Sequence, residues 1–240
     1  MYRINTIIGP LFVLAMVVFL VASNVRLAFN ALPLHEYLFR RHDVPAATGL
    51  TMEQLSQAGK QIRDYFNSAS PLLDVRIAMD STTRALFEER EVLHMRDVKD
   101  LLLKVYRVQE GAFIFLFLFF TLGFFILGAD FGRRVHWLIV TSGLMTLALM
   151  ATAAAVALLA FGQSFLLFHM VSFSNDLWQL DPYTSYLVRM FPQGFWRDAT
   201  IFIGVATVTE ALGIMALLEL MGWWHRWRVR VARRKAPQFG

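Results

Sequence analysis

Two short stretches of the chain carry side chains able to move protons. In the first, stepping alternately by four and three from Phe87 reaches Glu91, His94, Val98, Leu101, Val105 and Val108, one stripe of a helix. Asp97 follows His94 by three residues, so Glu91, His94 and Asp97 form a carboxylate, imidazole, carboxylate row at spacings that bring helical side chains together. A carboxylate beside an imidazole fixes its tautomer and raises its basicity, as a general base requires. The second stretch runs from Phe168 to Pro182. Read as a helix, it puts His169, Phe173 and Asp176 on one face, flanked by Ser172 and Asn175 and framed by Phe168, Phe173 and Trp178. Each stretch also has a plain structural reading. The first fits a half-exposed charged helix with an incidental histidine, and the second an interfacial aromatic belt whose polar groups finish a helix end. With no cysteine in the chain, thiol nucleophiles, iron-sulfur clusters and thiolate zinc sites are excluded. No glycine-rich phosphate loop, Gly-x-Ser-x-Gly elbow or His-Glu-x-x-His motif is present, so neither a nucleotide nor another cofactor is expected.

The elements that must position these residues follow from composition. A chain of 240 residues that is 57% hydrophobic and 17% charged, with mean hydropathy +0.49, is too apolar for an ordinary soluble surface. Crossing a hydrocarbon core about 30 Å thick takes roughly 20 apolar residues, and four stretches qualify: 7–28, 112–128, 138–161 and 199–221. The first could serve as a cleaved signal peptide, but apolar residues resume at Val25, Leu27 and Ala28, which favours an uncleaved span. With the N-terminus inside, Arg3, a turn at 129–137 and a tail at 222–240 together carry +8, against −1 on the other side. By the positive-inside rule both ends are cytoplasmic. The basic balance, with a pI near 9.8, is therefore an orientation signal. Trp223, Trp224 and Trp227 beside Arg226, Arg228 and Arg230 read as an anchor to anionic lipid and not as a nucleic-acid surface.

Residues 30–108 and 162–198 then lie on the extracytoplasmic side. Thr51 and Gln54 fit a capping box that opens a helix over 52–66. A second helix is expected to start after Asp80-Ser81-Thr82 and to run into the second span. The fold class expected is an all-α integral membrane protein, four transmembrane helices under a small helical cap. His35, His42, His136 and His225 read as solvated or interfacial, and Glu210 lies within the fourth span, where an acid is costly and usually faces the bundle interior.

At Phe87 with Glu91-Val92-Leu93-His94-Met95-Arg96-Asp97-Val98-Lys99, and at Phe168-His169, Phe173, Asn175-Asp176, Trp178 and Leu180-Asp181-Pro182, the sequence resembles the lipoprotein intramolecular transacylases, integral membrane enzymes of bacteria. Phe191-Pro192 and Phe195 also match, and the order of the four spans extends the resemblance over nearly the whole chain. Ser185 and Gln193 depart from it, standing where acids are expected. The resemblance implies catalytic roles for His94 and His169 and a diacylglyceryl-modified lipoprotein as substrate, met among membrane lipids at the outer face of the cytoplasmic membrane. It implies transfer of the sn-2 acyl chain to the α-amino group of the same cysteine, giving a lyso-form lipoprotein. That attack closes an eight-membered ring, so holding a bent conformer is the main task. Glu91 or Asp97 would orient His94, and Ser172, Asn175, Asp176 and Trp178 would support His169; which histidine is acid and which base stays open. Two rivals are a metal-dependent acyl hydrolase with His94, His169, Asp97 and Asp176 as ligands, and a non-catalytic membrane scaffold with the cap helices as its binding surface.

Overall fold

A computed structural model describes residues 2–79, 82–127 and 129–235. In chain order the elements are α1 (Tyr2–Asn30), α2 (Leu32–Arg41), α3 (Val44–Thr48), α4 (Met52–Phe66), β1 (Arg76–Met79), β2 (Thr82–Ala85), α5 (Glu89–Leu127), α6 (Ala129–Leu159), α7 (Phe161–Ser172), α8 (Tyr186–Met190) and α9 (Gln193–Lys235). Four helices, α1, α5, α6 and α9, are long and apolar enough to cross a membrane. They form a bundle in which α1 is central, packed against α5, α6 and α9, while α6 also lies along α9.

These helices are apolar nearly all round, so one face packs inward and the other meets lipid. Phe12, Ala15, Ala112 and Leu116 form the core between α1 and α5, while Phe113, Phe117, Phe124 and Phe125 face outward. Lipid tails are as apolar as leucine, so helix association there depends on close fit. Gly143 of α6 supplies it, since a Cβ at that position would strike the Met215 side chain of α9. The buried hydroxyls of Thr146 and Thr207 donate to carbonyls one turn back, Ser142 O and Ile203 O, and need no partner across the bundle.

At one end of the bundle a second core joins α2, α4, the hairpin, the first half of α5, α8 and the start of α9. Leu38, Phe39, Leu55, Ile77, Met95 and Met190 lie in it. Helix α4 starts as its sequence predicts: Thr51 Oγ1 accepts from Gln54 N at 3.2 Å, and Gln54 Oε1 accepts from Thr51 N at 2.8 Å. The next expectation is corrected. The helix expected directly after Thr82 starts only at Glu89, and before it β1 and β2 pair antiparallel, Arg76 opposite Ala85 and Met79 opposite Thr82. Asp80 and Ser81, the expected helix start, lie outside the described residues. The cause is a strict alternation of buried Leu73, Val75 and Ile77 with exposed Asp74, Arg76 and Ala78, the period of a strand with one face on a core. The domain at this end is thus helical with a two-stranded hairpin, and the chain as a whole is not purely α.

Helix α5 begins at Glu89 and links the two cores without a break. Its 39 residues extend about 58 Å, nearly twice a hydrocarbon core, so its first half stands beyond the span. Residues 129–137, expected as a turn, are the first turns of α6, and the basic tail is helical as far as Lys235.

Candidate active site

His94 lies in the second turn of α5, 7% exposed. Eighteen helical steps, about 27 Å, take it to Ala112, where the expected apolar span begins. Its Nδ1 is enclosed and has no hydrogen-bond partner among the described residues. Burial first, and the neighbouring His169 second, hold the imidazole well below its ordinary range, to about 4, against the opposing pull of Asp97. His94 is therefore neutral at pH 7.

His169 lies in the last turn of α7, where its Nδ1 is 2.7 Å from the carbonyl oxygen of Phe165. A carbonyl only accepts, so Nδ1 carries the hydrogen and the lone pair of the neutral ring is on Nε2. The two imidazoles face each other with ring centroids 6.2 Å apart. Aromatic rings enclose them: Phe165, Trp178 and Phe173 stand 4.4, 5.3 and 5.6 Å from His169, and Phe173 meets His94 edge-on at 5.1 Å. His94 is buried among these rings, which strengthens any hydrogen bond it makes, while His169 is partly open to the cavity beside it.

The supporting residues are placed less simply. Glu91, 2% exposed, lies on the histidine stripe but does not orient His94. Its Oε2 accepts from Glu88 N at 2.7 Å, and its Oε1 accepts from Ser185 Oγ at 2.5 Å and Leu187 N at 2.8 Å. It fastens α8 to the head of α5. Ser185 also caps α8, accepting from Val188 N. An acid there would oppose the buried Glu91 carboxylate, so the departure at Ser185 suits this chain's own packing. Asp97 acts on His94 through space, and its Oδ2 accepts from Asn175 Nδ2 at 2.8 Å. The single helical face expected through Asp176 is corrected: α7 ends at Ser172 and Phe173 is extended, with φ −123° and ψ 130°. Asp176 leaves the histidine face and pairs with Arg90, which donates to its carbonyl oxygen at 2.6 Å. Asn175 and Asp176 therefore tie the segment carrying Trp178 down onto α5. Phe165, Ser185 and Arg90 were not foreseen as parts of the site; a backbone acceptor such as Phe165 O leaves no mark in side-chain chemistry.

Beside His169 an open, mostly apolar cavity of about 550 Å³ is lined by Gly162, Phe165 and Leu166 of α7, by Trp178, Gln179, Leu180 and Asp181, and by Val188 of α8. Among the described residues no three His, Asp or Glu side chains gather at metal-binding spacing, so the donor set of a metal-dependent hydrolase is not assembled. The remaining polar candidates have local partners. Half-buried His35 meets Ala28 O at 2.9 Å, a more enclosed setting than its sequence position suggests. His42 pairs with Asp198, and His136 with Glu219. Asn24 donates to Glu210 at 2.7 Å across α1 and α9.

Comparison with known proteins bears on this arrangement. The chain matches the family profile described as lipoprotein intramolecular transacylase Lit over residues 10–196. The membrane integral lipoprotein intramolecular transacylase Lit from Bacillus cereus has the same fold, with TM-score 0.69 and 18% identity, the match covering 98% of this chain and 100% of that one. A His-to-Arg variant of that protein superposes with TM-score 0.65 and 19% identity, over 95% and 97% of the two chains. An uncharacterized protein of Aquifex aeolicus is 30% identical over 131 residues, 55% of each chain, so the match spans about half the length of that curated relative. The protein is a multi-pass membrane protein, and the profile match over most of its length shows that the chain belongs to the lipoprotein intramolecular transacylase family.

Proposed function

We propose that this protein moves the sn-2 acyl chain of a diacylglyceryl-cysteine to the α-amino group of the same cysteine. The observation that carries the reading is the facing pair of imidazoles, His94 and His169, in one aromatic enclosure beside an apolar cavity. The α-amine nitrogen attacks the ester carbonyl, a C–N bond forms, the C–O bond to glycerol breaks, and the amine proton ends on the glycerol oxygen. An α-amino group with a pKa of about 7.7 to 8.0 is partly free at neutral pH, so a modest base suffices.

The two histidines divide this work. His169 has its Nε2 lone pair fixed by the Phe165 carbonyl, so it takes the proton from the attacking amine and returns it to the departing oxygen. His94 stays neutral. Leaving a buried N–H without an acceptor costs more than leaving a lone pair unused, so its hydrogen belongs on Nε2 and not on the enclosed Nδ1. The His94 Nε2–H then donates to the oxyanion as the carbonyl becomes tetrahedral. The surrounding rings hold the bent conformer that the eight-membered transition state needs. The site faces the extracytoplasmic side, both chain ends are cytoplasmic, and the substrate arrives within the outer leaflet.

The reaction is an isomerisation, which defines its test. Purified protein incubated with a diacylglyceryl lipopeptide leaves total mass unchanged, blocks the α-amine to amine-reactive reagents, and moves one acyl chain to the N-terminal fragment in tandem mass spectrometry. Replacing His169 by alanine lowers the rate by about 10²-fold or more, and His94→Ala by a similar factor. An unaltered fragmentation pattern with folded protein refutes the proposal, and release of free fatty acid in its place points to an acyl hydrolase.

A further inference from the structure

Gly162, Phe165, Leu166 and His169 recur at i, i+3, i+4 and i+7, one face of α7, and all four line the cavity beside the imidazole pair. Leu180 and Val188 form part of the opposite wall. The cavity is therefore a groove along the α7 axis, with His169 at one end and Gly162 about 10 Å away at the other. From Phe161 to Val171 the helix carries no Asp, Glu, Lys or Arg, none of its residues is buried, and Leu167, Met170 and Val171 are exposed. Its apolar surface continues that of exposed Leu158 and Leu159 at the end of α6, part of a helix long and apolar enough to cross a membrane. The imidazole lies at one end of the groove, and apart from Gln179 and Asp181 the rest of its lining is apolar or aromatic.

We propose that this groove holds the acyl chain being transferred, with its carbonyl at His169 and its tail running toward Gly162, and that Gly162 sets the chain length the enzyme accepts. The assignment rests on the transacylase reading given above. The chain joined to the reacting carbonyl leaves the imidazole end directly, whereas the sn-1 chain is attached farther along the glycerol. At the far end a Cβ on residue 162 would lie 3.0 Å from Gln193 Nε2 at the start of α9, so a larger side chain there must displace that amide or turn into the groove that Gly162 lines. Gln193 is one of the two departures from the family pattern, and an uncharged amide is better tolerated beside an alkyl tail than a carboxylate. With C–C bonds of about 1.5 Å in a zigzag, about eight carbons reach from His169 to Gly162. Longer chains must pass Gly162.

The test compares lipopeptides bearing octanoyl or palmitoyl at sn-2 with sn-1 held constant, and the converse pair, using full-length protein in detergent and mass spectrometry of the N-acylated product. Wild-type protein converts both. Gly162→Leu slows palmitoyl transfer at least about tenfold more than octanoyl transfer. Gly162→Ala changes the ratio in the same direction by a smaller factor, and exchanging the sn-1 chain changes neither variant's ratio. An unchanged palmitoyl-to-octanoyl ratio in an active Gly162→Leu protein overturns the assignment, as does a change that follows sn-1. If Gly162→Leu does not fold, Gly162→Ala and Val188→Phe decide, and uniform loss on both lengths in Gly162→Ala counts against the groove. Absence of transfer by folded wild-type protein is a different result, because it removes the transacylase reading itself.

Discussion

Burial of His94 couples the site to stability. Unfolded, the imidazole titrates near 6.5; folded, it is held down to about 4 by the loss of water around it, reinforced by His169. Between these values the unfolded chain binds a proton that the native protein does not, so native stability is complete above pH 6.5 and falls as pH drops toward 4. At 1.36 kcal/mol per pH unit the loss is on the order of 3 kcal/mol. Thermal unfolding in micelles across this window should show a decline in midpoint that is much reduced in His94→Gln, which has nothing to titrate. An equal decline in both proteins would mean that other groups control the acid limb. The same buried imidazole stays uncharged through neutral pH, which suits a donor to an oxyanion better than a carrier of protons.

Glu91 shows how one side chain can hold an element in place. Its carboxylate is the acceptor for Ser185 Oγ and for Leu187 N at the start of α8, so Glu91→Ala leaves a buried hydroxyl and a buried amide without their partner. The expected cost is about 2 to 4 kcal/mol, against about 1 to 2 kcal/mol for Ser185→Ala, which removes one donor and the cap on Val188 N but leaves a carboxylate that still has two donors. Chemical or thermal unfolding measures both, and equal costs for the two variants would contradict the strut. Local grammar announced some of these elements clearly. The Thr51 and Gln54 reciprocal cap located α4, and apolar length located the four long helices. The hairpin was missed although Leu73, Val75 and Ile77 alternate with Asp74 and Arg76, because the stretch between the two expected helices was assigned no element and the second helix was started at its turn. His94 and His169 were readable as a pair. The division of labour proposed for them was not, since that proposal depends on the Phe165 carbonyl and on an enclosed Nδ1, both products of packing. Glu91 sits on the right stripe for an orienting carboxylate, yet its rotamer is decided by α8, nearly a hundred residues later in the chain.

For the molecule in its membrane, the apolar helices define where lipid lies but not which end faces out. Charge supplies that. The tail of α9 presents Arg226, Arg228 and Arg230 beside Trp223, Trp224 and Trp227 as a continuation of the helix, and anionic inner-leaflet lipid attracts such a run by about 1 kcal/mol per residue near the surface. The opposite end carries the hairpin, α4 and both candidate catalytic histidines, with acidic and basic residues nearly balanced. The orientation proposed above puts the histidine end outside, where lipoproteins carrying a diacylglyceryl-cysteine would be exposed, and the basic tail inside. The chain contains no cysteine, so a single introduced thiol reports without background. Lys60→Cys lies on an exposed position of α4, and Arg230→Cys on an exposed position of the tail. In intact spheroplasts a membrane-impermeant maleimide should label the Lys60→Cys protein fully and the Arg230→Cys protein only after permeabilisation. The reverse pattern would place the imidazole pair in the cytoplasm, where the attack proposed for it would meet no exported lipoprotein.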